Sequence, residues 1–89
     1  MSGEDRRPAR HPAIETAVFG SEAVLYDERS GMVHQLNGSA CAIWMLLDGR
    51  PVDDVVATLS QTTGIPDDDL RRDVLQALTE LGAAGLLTG

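Results

Sequence analysis

The segment from Gly31 to Gly49, GMVHQLNGSACAIWMLLDG, decides how this chain folds. Its first part, Met32 to Leu36, reads as a short strand that halts at Asn37-Gly38-Ser39. An apolar helix follows at once, Ser39 to Leu47, closed by Asp48-Gly49. Ala40, Ile43, Trp44 and Leu47 fall on one stripe at helical spacing, and Trp44 is the only tryptophan, so this helix is expected to carry the centre of a small core. Cys41, Met45 and Leu46 lie off that stripe. A helix apolar on nearly all sides is surrounded by other elements, and the strand before it must pack close by.

Upstream, Ala13 to Phe19 alternates: Ile14, Thr16 and Val18 share one face, Ala13, Glu15, Ala17 and Phe19 the other, until Gly20-Ser21 breaks the run. Ala23 to Tyr26 is a second extended segment, and Asp27 to Gly31 is a turn cluster. Residues 13–36 therefore read as a three-stranded antiparallel meander, one face of which needs helices to cover it. Met1 to Pro12, with two prolines, three arginines and no periodicity, reads as a disordered tail ahead of a domain over residues 13–89.

Downstream, Pro51 stands where a helix can begin, Asp53 and Asp54 suit the positive end of its dipole, and Val52, Val55, Val56 and Leu59 form its buried stripe up to Gly64. The last helix starts near Asp67 with acids at Asp68 and Asp69, and buries Leu70, Val74, Ala77, Leu78 and Leu81. Gly85 is a C′ glycine in this register, with Leu86 folding back onto Leu81. Leu75 does not fit the stripe. It lies about 140° round the helix from Leu70, on the side of Arg71 and Gly82, either as a scattered surface leucine or as the lining of an apolar groove beside a strand edge.

With 89 residues the chain is one domain, a size at which deep catalytic clefts are hard to build. The formal charge is −7, and all seven basic residues are arginine. Without the tail, the body is more acidic still, which disfavours phosphate backbones and favours basic or neutral partners. One cysteine excludes an internal disulfide, and neither a membrane-length apolar run nor a signal-peptide core is present, so a cytoplasmic protein without membrane contact is expected.

The sequence points to no catalytic residues, metal or cofactor. His11 and His34 are the only histidines and the first lies in the tail; His34 reads as a strand residue half-buried against a helix. Cys41, between two alanines, reads as a small core residue rather than a reactive thiol. Asp67-Asp68-Asp69 has the wrong spacing for a calcium loop, and no phosphate loop or Ser-His-Asp set is present. Three strands and three helices are compatible with a winged helix, which raises a DNA-binding regulator as an alternative. The helix that would enter the groove, however, opens on three aspartates offset only by Arg71 and Arg72. An acyl carrier protein would need a helical bundle and an Asp-Ser-Leu site, whereas Ser39 sits in Asn-Gly-Ser-Ala after a meander.

Tyr26-Asp27-Glu28-Arg29-Ser30-Gly31, His34 to Ala40, Ile43-Trp44, Leu47-Asp48-Gly49, Asp73-Val74, Leu78, Leu81 and Ala84-Gly85-Leu86-Leu87, in this order and spacing, resemble the PqqD family. Gly38 and Cys41 stand where many relatives have proline and alanine. Members are peptide chaperones, also called RiPP recognition elements, that bind the leader of a ribosomally made precursor peptide. The resemblance implies an α+β, winged-helix-like fold, a three-stranded antiparallel sheet followed by three helices, in a free-standing, non-enzymatic domain. The implied partners are a precursor leader peptide and a maturation enzyme, such as a radical SAM enzyme or a lasso-peptide protease; nucleic acid is not among them. The implied leader-binding residues are Met32, Val33, His34, Gln35 and Leu36 on the third strand and Asp69, Arg71, Arg72, Asp73 and Leu75 on the last helix. Asp69 or Asp73 would favour a basic leader residue. A structural subunit that only stabilises a maturase is a further alternative. A bare strand edge also predicts a monomer at micromolar concentration that pairs weakly when concentrated.

Overall fold

A computed structural model describes residues 6–88. The order of elements is β1 (Ala9–Arg10), β2 (Ile14–Phe19), β3 (Glu22–Asp27), β4 (Val33–Leu36), α1 (Gly38–Met45), α2 (Val52–Thr63), α3 (Asp67–Ala83) and β5 (Leu87–Thr88). Strands β2, β3 and β4 form the antiparallel meander in that order, followed by the three helices, so the α+β, winged-helix-like architecture expected from the sequence is the one observed.

Register fixes what each sheet face carries. Ile14 pairs with Asp27 and Thr16 with Leu25, while Leu25 also faces His34 and Ala23 faces Leu36. The inner face therefore holds Thr16, Ala23, Leu25, His34 and Leu36, with Ala23, Leu25 and Leu36 in the core. The outer face holds Glu15, Ala17, Phe19, Val24, Tyr26, Val33 and Gln35. Phe19 and Tyr26 stay exposed there because the helices all pack on the other side.

Helix α1 closes over the inner face. Asn37 is its N-cap, its Oδ1 accepting from the Ala40 N–H at 2.9 Å, so the helix begins at Gly38, one residue before the expected start. Trp44 is fully buried, and its Nε1–H donates to Thr16 Oγ1 at 2.9 Å, which ties α1 to β2. The helix ends at Met45, two residues short of expectation. The Arg10 guanidinium donates to the carbonyls of Trp44 and Met45 at 2.9 Å each, supplying a positive group at a C-terminus that has none of its own. Leu47 is fully buried beyond the helix end, whereas Met45 is half exposed, so α1 is not covered on every side.

Arg10 belongs to the stretch expected to be a disordered tail, and that expectation fails over its described part. Residues 1–5 lie outside the described residues, as does Gly89. Ala9 and Arg10 pair with Thr88 and Leu87, Arg10 N–H donates to Leu47 O at 2.9 Å, and Gly49 N–H donates to Pro8 O at 3.1 Å. Two residues are too short to show a period, and the pairing is set by the return of the chain's other end.

Helices α2 and α3 complete the core. Val52, Val55, Val56 and Leu59 of α2 are buried against Leu70, Val74, Leu78 and Leu81 of α3, as their spacing requires. Gly64 ends α2 in the left-handed region at φ 74°, a conformation that favours glycine. At the end of α3, Leu86 N–H donates to Leu81 O and Gly85 N–H to Gly82 O, both at 3.0 Å, with Gly85 at φ 75°. This is the expected Schellman stop, and it buries Leu86.

Candidate functional site

Strand β4 is one edge of the three-stranded sheet, β2 being the other, and among the described residues no strand pairs with the outer side of β4. The ladder closes where Asp27 N–H donates to Met32 O at 2.9 Å. Hydrogen-bonded and non-bonded pairs alternate along an antiparallel ladder, so Leu25–His34 and Ala23–Leu36 are the bonded pairs that follow. The backbone N–H and C=O of Val33 and Gln35 consequently point away from β3, toward the open side. Two donors and two acceptors on alternate residues are what an extended peptide needs in order to add as a further strand.

Helix α3 runs opposite to β4, with its C-terminal end at the β3–β4 turn and its middle across a cavity from Asn37, just past the far end of the strand. Its C-terminal end is held beside the β3–β4 turn by Arg29, whose Nη2 donates both to Gly85 O at 2.6 Å and to Asp27 Oδ2 at 2.9 Å. Arg29 Nε and the Arg29 backbone N–H also donate to Asp27 Oδ1. These bonds hold the Asp27 carboxyl below its ordinary range; burial pushes the other way without prevailing. Asp27 is the one buried charged residue among the described residues, and the clamp on it sets the spacing between α3 and the start of β4.

At the other end of β4 the chain passes through Asn37 into α1, and here a cavity of about 330 Å³ opens between α1 and α3. Asn37, Ser39, Ala40 and Ile43 line one wall; Asp73, Gln76, Ala77 and Glu80 line the other. It carries two carboxylates, and among the described residues lining it none is basic. A second cavity, about 120 Å³ and mostly apolar, adjoins it toward the start of α3, lined by Ala42, Leu59, Thr63, Ile65 and Leu70, and the two share Ser39, Ile43 and Asp73.

The residues expected in the site divide between this groove and other surfaces. Met32 and Val33 are exposed at 57% and 60%, and Gln35 lies on the outer face with its Nε2 3.4 Å from Glu22 Oε1. His34 is half-buried and Leu36 buried on the inner face, and the backbone groups of both are paired with β3, so neither offers an added strand an open side chain or a free backbone group. On α3, Asp73 lines both cavities. Asp69, one turn earlier and about 40° away, shares its side of the helix and forms a long 3.8 Å pair with Arg72. Arg71 and Leu75 are about 160° from Asp73. Arg71 instead reaches Asp53 of α2 at 2.6 Å, and Leu75 packs against the core cluster, partly buried. Neither lines the cavities.

Asn37, Ser39, Gln76 and Glu80, together with the apolar set around Leu59, Ile65 and Leu70, were not assigned to the site from sequence. The spacing of Asp73, Ala77 and Glu80 does mark one helix face, but nothing local says that α1 begins opposite it. Among the described residues no group of three or more His, Cys, Asp or Glu is placed to hold a metal ion, and no helix is long and apolar enough to cross a membrane.

Two solved structures share this fold. One, "TbiB1 in Complex with the TbiA(beta) Leader Peptide", superposes with a TM-score of 0.83 at 24% identity, covering 91% of this chain and 95% of that one. The other, "Lasso peptide synthetase B1 complexed with the leader peptide", gives a TM-score of 0.77 at 32% identity, covering 93% of this chain and 99% of that one. No curated protein matches the chain. The sequence profile described as "Coenzyme PQQ synthesis protein D (PqqD)" matches residues 22–87, from the first residue of β3 into β5, and on that match the chain belongs to the PqqD family.

Proposed function

We propose that this chain binds the leader segment of a ribosomally synthesised precursor peptide as an added strand on β4 and presents the rest of the precursor to a maturation enzyme. The observation that carries the reading is the open edge of β4, with the Val33 and Gln35 backbone turned outward beside the α1–α3 groove. Both structural relatives were solved as complexes with leader peptides, which supports it. In this reading Met32 to Leu36 supply the pairing strand, and Asn37, Ser39, Asp69, Asp73, Gln76 and Glu80 supply side-chain contacts, while Arg71, Arg72 and Leu75 stand outside the site. Backbone pairing gives affinity and the cavities give selectivity. The chain performs no chemistry of its own and works in the cytoplasm. Its partner enzyme is of the lasso-peptide class, in line with the relative solved as a lasso peptide synthetase B1.

The test is titration of the isotope-labelled protein with a synthetic leader, its sequence chosen by searching the neighbouring genes for a short precursor, followed by NMR. The amide signals of Val33 and Gln35 move most, together with those of Asn37, Asp73 and Gln76. A leader that binds while leaving these five amides unmoved would refute the strand-addition reading.

A further inference from the structure

The two cavities lie in line along α3, and their spacing matches an extended chain. The carboxylate-bearing cavity takes Asp73, Gln76, Ala77 and Glu80 from α3, while the apolar one takes Leu70 and Asp73, so their centres are separated by about five residues of helix. At a rise of 1.5 Å per residue that is about 7.5 Å. Side chains on one face of an extended strand recur every second residue, about 6.6 Å apart. A peptide leaving the Leu36 end of β4 and running beside α3 toward its start therefore sets two same-face side chains, at i and i+2, into the two cavities.

Resting on the leader-binding reading, we propose that the leader recognised by this chain carries an apolar residue of leucine size two positions before a lysine or arginine. The apolar side chain enters the cavity of Leu59, Ile65 and Leu70, and the basic one lies between Asp73 and Glu80. The small apolar cavity, about 120 Å³, suits an aliphatic side chain. The larger one is walled by two carboxylates with Gln76 and Ser39 as neutral partners, so a cation there meets charges of opposite sign and an acidic residue meets repulsion. The order of the pair follows from strand direction. Antiparallel pairs outnumber parallel ones. A leader antiparallel to β4 has its N-terminal part at the Leu36 end and beyond, and so reaches the apolar cavity first, the acidic cavity next and the β4 edge last.

A random dodecapeptide library displayed on phage and panned on the whole chain tests this without knowledge of the natural leader. Enriched peptides carry Leu, Ile, Val or Met two positions before Lys or Arg. A synthetic peptide from that set loses at least about fivefold in affinity when its basic residue is changed to Glu, and the difference shrinks as salt rises from about 0.05 to 0.5 M. In Glu80→Lys the preference falls or reverses; Glu80 is exposed, so the variant is expected to fold. Asp73→Asn provides a second, uncharged readout in the same direction. Peptides that shift the Val33 and Gln35 amides but show no apolar-x-basic spacing, or the same preference in Glu80→Lys, overturn the inference and leave the leader reading standing. Peptides that bind without moving the β4 amides overturn both.

Discussion

Two proline substitutions at adjacent positions of β4 separate its two edges. In Val33→Pro the lost N–H is one that faces away from β3, and Val33 is the first residue of its strand, a place where proline is tolerated. Its side chain is 60% exposed, so the change in packing is worth less than about 0.5 kcal/mol. In His34→Pro the lost N–H belongs to the bonded pair with Leu25, and the orphaned Leu25 carbonyl lies against the core, a loss of about 1 to 3 kcal/mol. Leader affinity responds in the reverse order. An added strand deprived of one backbone hydrogen bond loses about 1 to 1.5 kcal/mol, a five- to twelvefold rise in Kd. Urea unfolding gives the first quantity and isothermal titration with the leader the second. If both variants lose equal stability, the ladder alternation derived from the Asp27–Met32 bond is wrong. If Val33→Pro is folded and binds leader as tightly as the parent chain, the leader does not pair at Val33.

Trp44→Ala removes the largest fully buried side chain and leaves Thr16 Oγ1 without its donor; denaturant unfolding is expected to show a loss of about 3 to 5 kcal/mol. Arg10→Ala strips both side-chain donors from the end of α1 and is expected to cost about 1 to 2 kcal/mol, lowering the melting temperature by several degrees, whereas a dispensable tail residue would leave it unmoved. Asp27 and Asp48 both have carboxyls held below their ordinary range, by Arg29 and Arg50 respectively. Their contribution is fully present above the unfolded carboxyl value of about 4 and is lost as pH falls below it, toward the folded values. Arg29→Gln is expected to flatten that acid limb in a pH series of melts. Leu75→Glu puts a charge on a side chain that packs against the core, so calorimetry is expected to show lower stability by about 1 kcal/mol or more, with leader affinity unchanged in the folded variant.

Sequence alone determined the elements whose signals are local. Alternation in Ile14–Phe19, the Asn37 breaker, the acids opening α2 and α3, and Gly64 and Gly85 at their ends each act within a few residues, so the strands and helices stand within a residue or two of where the pattern places them. The buried stripe of α3 was legible for the same reason, since burial follows the helical period. Beyond that, tertiary structure decided. Whether Ala9 and Arg10 form a strand depends on Leu87 and Thr88, nearly the whole chain away, and whether α1 stops at Met45 depends on Arg10. The flank of α3 that lines the cavities was not legible for a related reason. A helix has two flanks beside its buried stripe, and the pattern ranks them equally; Leu75 lies on one and Asp73 on the other. Only the placement of Asn37, Ser39 and Ile43 against Asp73 and Glu80 selects the flank that forms the groove, because a cavity is made by walls from different elements and no single segment encodes the one it will face.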